Sequence, residues 1–132
     1  MTRYLLDTCT FIWLVSDPRS LSNAALAAIE DGDNVCFLSV ISTWEIITKN
    51  RLDKLDVDTQ GQTLDVLLRD SRAAHELETL GIDEPSVGRL VNLPDIHRDP
   101  FDRMLICQAI EHQLVLVTPD PHIQRYPIKT LW

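Results

Sequence analysis

The sequence predicts an α/β fold in which a mostly parallel central sheet is flanked by helices. Short apolar runs alternate along the chain with segments of helical pattern, which is the order typical of a parallel sheet. The runs are continuously apolar, as expected for strands that are covered on both faces. The chain has 132 residues, and we expect residues 1–132 to form a single domain.

The candidate strands are short and mostly free of charge. They are Arg3–Leu6, Val35–Leu38, Leu77–Ile82, Leu114–Val117 and Ile128–Trp132. The run ending at Val117 is the clearest of them, because residues 118–121 read Thr-Pro-Asp-Pro and terminate it. The last strand is expected at an edge of the sheet.

The candidate helices share apolar spacing and recognisable start signals. They are Thr8–Val15, Asn23–Glu30, Ser42–Arg51, Leu64–His75, Asp83–Val91 and Pro100–Ile110. Ser22 is a good N-cap for the second helix, and Asp99 is a good N-cap for the last one. Pro100 then occupies the first helical position, where its missing N–H costs nothing.

Charge and cysteine content limit the possible partners. Twenty acidic and 12 basic side chains give a net charge of −8, which argues against nucleic-acid binding by bulk electrostatics. An acidic pocket filled by cations could still act on phosphates.

Three scattered cysteines, Cys9, Cys36 and Cys107, are expected to be buried free thiols of a cytoplasmic protein. No apolar run approaches the ~20 residues of a membrane span, so no membrane partner is expected.

Four acidic residues are predicted to meet at one edge of the sheet. Asp7 follows the first strand, and Asp120 follows the strand that ends at Val117. Glu45 and Asp102 are expected in the first turns of helices, whose N-termini point to the same edge. Ligands of parallel sheets bind at the carboxyl ends of the strands, so this edge is the candidate site.

Each acid also has a purely structural interpretation. Asp7 could cap the following helix, and Asp120 could be an ordinary turn residue. Glu45 could close a capping box with Ser42 or pair with Lys49 one turn later. Converging carboxylates nevertheless repel by roughly 1–4 kcal/mol for each close pair, and folding does not require them. Oxygen-only sites suit Mg²⁺ or Mn²⁺, and two such ions can promote phosphodiester hydrolysis.

Other chemistries lack their motifs. The glycines do not form a phosphate-binding loop. Four histidines have no zinc-site spacing and are expected to be surface or hydrogen-bonded residues: His75, His97, His112 and His122. Thr118 either contacts a metal-bound water or simply ends its strand.

Four motifs together resemble the PIN-domain nucleases, and most closely the VapC-like toxins of bacterial toxin–antitoxin pairs. They are Leu5-Leu6-Asp7-Thr8, Ser42-x-Trp44-Glu45-Ile46, the segment from His97 to Ile106, and Val117-Thr118-x-Asp120. The resemblance extends over essentially the whole chain. It implies the PIN-like three-layer fold and a Mg²⁺- or Mn²⁺-dependent endoribonuclease.

The resemblance also implies which residues perform the chemistry. The catalytic and metal-ligating acids of the family fall on Asp7, Glu45, Asp102 and Asp120. Asp99, Thr8 and Thr118 are supporting candidates. A cognate antitoxin, an RNA substrate and a homodimer are the implied partners. Cys9 stands where such proteins often carry His, Ser or Asn, and Pro119 and Pro121 flank the last acid.

Two points remain open at this stage. Arg98 and Arg103 could steer a phosphate backbone, contact an antitoxin or be solvated. The alternatives to an endoribonuclease are a non-catalytic PIN scaffold that binds RNA or a protein partner, and a DNA-directed nuclease of the same fold.

Overall fold

A computed structural model describes all residues, 1–132, and contains seven helices and five strands. The strands are β1 (Arg3–Leu6), β2 (Val35–Ser39), β3 (Glu78–Leu80), β4 (Val115–Val117) and β5 (Thr130–Leu131). The helices are α1 (Thr8–Ser16), α2 (Asn23–Glu30), α3 (Val40–Arg51), α4 (Leu64–Ala74), α5 (Glu84–Gly88), α6 (Pro100–His112) and α7 (Pro121–Gln124). None of the helices has the length and apolar character that crossing a bilayer requires.

The five strands form one sheet in the order β3-β2-β1-β4-β5, and every neighbouring pair is parallel. The predicted mostly parallel sheet is therefore confirmed, with β5 at an edge. The chain builds outward from β1 to β3 and then returns to the other side of β1. The strand order thus reverses between β1 and β4, and a crevice forms beyond their carboxyl ends.

The strand β1 separates two hydrophobic cores. Leu5 and Leu6 are both fully buried, but they belong to different clusters because successive side chains of a strand point to opposite faces. Leu5 packs with Ile106 of α6 and Ile123 of α7. Leu6 packs with Phe11 of α1, and that cluster also contains side chains of α2 and α4. Helices therefore cover both faces, which confirms the three-layer prediction.

The start of α3 differs from the prediction. The helix begins at Val40, and Ser39 is its N-cap, with Oγ accepting the Ile41 N–H at 3.0 Å. The predicted capping box of Ser42 and Glu45 is therefore wrong, and Glu45 lies in the second turn. The sequence misplaces the helix start because Val40 and Ile41 are β-branched and locally favour a strand. In the structure the strand ends at Ser39 and the helix begins at the next residue.

Smaller differences occur at other element ends. Helix α7, at Pro121–Gln124, is not predicted by the sequence, which indicates only that residues 118–121 end the strand before it. The strand predicted over Leu77–Ile82 is limited to β3, and α5 continues as a 3₁₀ turn over Arg89–Asn92. Cys9 is only half-buried, contrary to the prediction, whereas Cys36 and Cys107 are buried free thiols as expected.

Candidate active site

An open pocket of about 470 Å³ lies at the carboxyl edge of the sheet. Five carboxylates line it: Asp7, Glu45, Asp99, Asp102 and Asp120. Thr8 lines it too, and the only cationic side chains on its walls are Lys49 and Lys54. The element order had predicted that the four principal acids converge, and the structure brings them into one pocket.

Asp7 is the most constrained of these acids. It is 3% exposed and is the N-cap of α1, with Oδ1 accepting the Thr10 N–H at 2.8 Å. Its other oxygen accepts a hydrogen bond of 2.5 Å from the Thr118 hydroxyl. Burial raises the pKa of Asp7 above its ordinary value, although the hydrogen bonds from Thr10 and Thr118 oppose that rise. Asp7 thus both caps a helix and contributes a buried carboxylate to the pocket.

Thr118 connects two of the acids. It follows β4, is fully buried, and donates its hydroxyl proton to Asp7. The same oxygen accepts the backbone N–H of Asp120 at 3.0 Å. Thr118 therefore fixes the relative positions of Asp7 and Asp120.

Glu45 enters the pocket from α3 with both oxygens already engaged. Its side chain is almost wholly buried, and Oε1 lies 2.6 Å from the Thr8 hydroxyl. Oε2 forms an ion pair with Lys49, one helical turn later. The predicted alternative of a Glu45–Lys49 pair is therefore confirmed.

Asp99 and Asp102 both come from the start of α6. Asp99 is the N-cap, and its Oδ1 accepts the N–H groups of Phe101 and Asp102 at 2.9 and 3.0 Å. Asp102 is partly buried, and that burial, together with the charge of Asp99, raises the pKa of Asp102 to about 7. The helix N-terminus thus holds two carboxylates beside one another.

His97 contacts the acidic cluster directly. Its Nε2 lies 3.2 Å from Oδ2 of Asp102, and ligand atoms of His97, Asp102 and Asp120 all lie within 4.8 Å of one another. The expectation of a hydrogen-bonded histidine agrees with these contacts. The sequence placed His97 near the acids, but no local pattern indicated its partner.

Asp120 is positioned by the two prolines that flank it. It is the N-cap of α7, where its Oδ1 accepts the His122 N–H at 2.8 Å. Pro121 occupies the first helical position, so it starts the short helix rather than distorting it. The residue lines the pocket together with Pro119.

The two arginines of the long motif have different environments. Arg98 is exposed. Arg103 is mostly buried and donates to the carbonyl of Pro94 at 2.7 Å and to the Tyr126 hydroxyl at 3.0 Å. Arg103 therefore braces the segment before α6, and the alternative of a solvated Arg103 is wrong.

The donor set of the pocket fits a hard divalent cation. Asp7, Asp102 and Asp120 supply carboxylate oxygens from three different elements, and each oxygen has two lone pairs. Burial and, to a lesser extent, neighbouring carboxylates raise the pKa values of Asp7 and Asp102. Mg²⁺ and Mn²⁺ prefer such oxygen ligands and would neutralise this charge.

Comparison with known proteins identifies the family. The family model of the PIN domain matches residues 4–129. A curated relative, Ribonuclease VapC22 of Mycobacterium tuberculosis, is 32% identical over 136 aligned positions that cover the whole of both chains.

Solved structures share the fold at low sequence identity. VapBC2 from Rickettsia felis, bound to a promoter DNA fragment, matches with a TM-score of 0.71 at 16% identity over 98% of each chain. A toxin–antitoxin complex from Klebsiella pneumoniae matches with a TM-score of 0.63 at 19% identity, over 98% of this chain and 96% of that one. The family match and the full-length relative show that this chain belongs to the PIN-domain family.

Proposed function

We propose that the protein is a Mg²⁺- or Mn²⁺-dependent endoribonuclease that hydrolyses RNA phosphodiester bonds, and that it is the toxin of a VapBC-type toxin–antitoxin pair. The observation that carries the proposal is the convergence of Asp7, Asp102 and Asp120 in one pocket. Folding gains nothing from placing these acids together, whereas a cation-assisted phosphoryl reaction needs them. The relative named as a ribonuclease supports RNA as the substrate.

The acids have separate tasks in this proposal. Asp7 and Asp102 would hold the principal ion, Glu45 would complete its shell or orient the water, and Asp120 would support a second ion or a water. When bound, the metal supplies Lewis-acid activation of water and neutralises charge that develops on the phosphate. Thr118 and Thr10 fix the Asp7 carboxylate through their hydrogen bonds, and His97 fixes Asp102. No side chain is assigned as a general base.

The decisive experiment is cleavage of a structured RNA by antitoxin-free protein with Mg²⁺ or Mn²⁺, and with EDTA. Asp102→Asn tests the site, and Asp33→Asn is the matched control because Asp33 is exposed in the turn before β2. We expect cleavage that requires the metal, survives Asp33→Asn and disappears with Asp102→Asn. Cleavage that survives Asp102→Asn would come from a contaminant.

Matched substrates separate the alternatives. Preferential cleavage of a DNA of the same sequence would favour a DNA-directed nuclease. Absence of cleavage, together with RNA or protein binding and no stabilisation by metal, would favour a non-catalytic scaffold.

We propose that the antitoxin covers the acidic pocket and inserts a basic side chain among its carboxylates. The five carboxylates and the solved toxin–antitoxin complexes of similar fold support this arrangement. Binding should weaken when the inserted Arg or Lys of the antitoxin is replaced by Ala, as calorimetry with the purified pair would measure. Unchanged affinity for every such replacement would place the antitoxin elsewhere.

We also propose that residues 1–132 act as one domain, that the protein works in the cytoplasm and that it forms a homodimer. The three unpaired cysteines support a reducing compartment.

The proposal of a homodimer is supported by an exposed apolar face of α3, which is formed by Val40, Trp44 and Ile47. Sedimentation equilibrium of the protein and of Trp44→Glu tests this, and two monomeric samples would exclude the dimer.

A further inference from the structure

We propose that a cleft beside the acidic pocket is a phosphate subsite, in which Arg98 and Arg103 bind the RNA phosphate next to the one that is hydrolysed. This inference rests on the proposed function, because it gives a place to a second phosphate of the same substrate. The ligand set of the acidic pocket is unchanged by it.

The cleft adjoins the acidic pocket through His97. It is open and has a volume of about 440 Å³. Its lining residues are Asp95, Ile96, His97, Arg98 and Arg103. The Nε2 atom of His97 lies 3.2 Å from Oδ2 of Asp102, which lines the acidic pocket. Consecutive phosphates of a nucleic acid are joined through a single sugar, so a strand whose scissile phosphate lies among the acids can place the next phosphate in the cleft.

The charges of the cleft suit a phosphate. Besides the histidine, its ionisable groups are two guanidinium groups and one carboxylate. Guanidinium groups bind phosphate oxygens through paired N–H donors. The acidic pocket instead presents five carboxylates, and the whole chain has a net charge of −8. RNA that approaches the acids therefore needs a local source of positive charge, and this cleft supplies one.

The two arginines offer their donors in different ways. Arg98 is exposed and takes part in none of the ion pairs of the protein, so its guanidinium group is free to bind a ligand. Arg103 is fixed by the Pro94 carbonyl and the Tyr126 hydroxyl, and its Nη2 lies 3.4 Å from Oδ1 of Asp95. The Asp95 side chain is 98% exposed, so this ion pair is weak. A phosphate can therefore take the place of the Asp95 carboxylate.

Arg98 is tested by measuring RNA binding apart from hydrolysis. Fluorescence anisotropy with a labelled single-stranded RNA and Mn²⁺ is performed in the Asp102→Asn background, which removes cleavage and keeps an amide oxygen as the acceptor for His97. Arg98→Gln should weaken RNA binding and make the slope of log K against log salt shallower by about 0.7, the value for one phosphate contact in a single strand. Arg98→Lys should keep the slope because it keeps the charge, although it loses the paired donors.

Arg19→Gln is the matched control. Arg19 is also exposed and outside every ion pair, but it follows the C-terminus of α1, at the amino edge of the sheet. Its replacement should leave the slope unchanged. An equal loss for Arg19→Gln and Arg98→Gln would reduce the effect to net charge and would overturn the proposal. An unchanged slope in Arg98→Gln would overturn it too, and weaker antitoxin binding by that variant would then assign the cleft to the antitoxin.

Arg103 is tested through Asp95, because replacing Arg103 would also remove a brace of the fold. Asp95→Asn removes the carboxylate that competes with the phosphate, and it should strengthen RNA binding by up to about fivefold, the effect of losing one exposed ion pair. Asp33→Asn removes the same charge from the turn before β2 and should leave the affinity unchanged. Equal gains for the two variants would contradict the role of Arg103.

The cleavage assay separates the failure of the subsite from the failure of the ribonuclease. If the unmodified protein cleaves no RNA but binds it with an Arg98-dependent slope, the proposed ribonuclease fails and the subsite stands. If the protein cleaves RNA and Arg98→Gln changes neither KM nor the slope, the subsite fails and the ribonuclease stands. A protein that binds no RNA under any condition contradicts both.

Discussion

The Tyr126 hydroxyl lies 2.8 Å from Nδ1 of His97, and the other nitrogen of that ring faces Asp102. The phenol oxygen also accepts the His97 N–H at 3.2 Å and a hydrogen bond from Arg103 at 3.0 Å. Its own proton has two acceptors within reach, the His97 carbonyl at 3.4 Å and Nδ1 at 2.8 Å, and the shorter distance favours Nδ1. In the neutral imidazole the ring proton then sits on Nε2 and points at Asp102. Tyr126 thus selects the tautomer of His97 that donates to an acid of the pocket.

Tyr126→Phe tests this arrangement. Loss of the hydroxyl leaves buried donors and the ring nitrogen without a partner, so the free energy of unfolding should fall by about 1–3 kcal/mol. Mn²⁺ affinity should fall as well, because His97 no longer holds Asp102. Urea unfolding and calorimetry measure the two effects. Tyr4→Phe is the matched control, because no hydrogen bond of the Tyr4 hydroxyl is present, and equal losses for both variants would refute the assigned role.

Metal binding should be visible as stabilisation. At about 100 times its dissociation constant, Mn²⁺ should raise the free energy of unfolding by roughly 2.7 kcal/mol. Asp102→Asn should abolish most of this gain because the principal ion loses a ligand. Thermal unfolding with and without Mn²⁺ provides the measurement. If neither Mn²⁺ nor Mg²⁺ changed the melting temperature of the unmodified protein, the result would count against a metal site in this pocket.

In the absence of metal, the free energy of unfolding should depend on pH because of the Asp102 carboxyl group. Burial and the charge of Asp99 raise the pKa of Asp102 to about 7, above the unfolded value of about 3.9. The folded state therefore binds the proton more tightly, and this contribution to stability is lost as the pH rises from about 4 through 7. Asp102→Asn has no such loss, so it should gain stability relative to the unmodified protein over that range. Urea unfolding in EDTA at several pH values measures this. If the free energies of unfolding of Asp102→Asn and of the unmodified protein changed with pH in parallel, the expectation would be wrong.

Thr118→Val should separate the orientation of the acids from their presence. The substitution removes the donor to Asp7 and the acceptor of the Asp120 N–H while keeping the shape of the side chain. We expect a 10–100-fold loss of Mn²⁺ affinity, as is typical when a partner of a metal ligand is removed. Calorimetry compares it with Thr79→Val, an exposed threonine of β3. Equal Mn²⁺ affinities of Thr118→Val and Thr79→Val would show that Thr118 only ends its strand.

The convergence of the acids could be predicted because it follows from element order. Asp7 and Asp120 follow adjacent parallel strands, and α6 begins at the same edge, so their meeting needs no knowledge of side-chain contacts. The start of α3 could not be predicted, since Val40 and Ile41 favour strand locally and tertiary packing decides the boundary. The partnership of His97 and Tyr126 spans 29 residues, and no local period encodes such a contact.

The register of β1 and β4 affects which parts of the protein open first in local unfolding. Leu6 pairs with Val117, and the Asp7 N–H continues the ladder to the Val117 carbonyl at 3.1 Å. The carboxylates that follow these strands are thus attached to the centre of the sheet, whose amides should be among the last to exchange with deuterium. Lys49 and Lys54 instead lie in the last turn of α3 and in the turn after it. Local fluctuations can therefore open the segment around Lys54 while Asp7 and Asp120 keep their spacing.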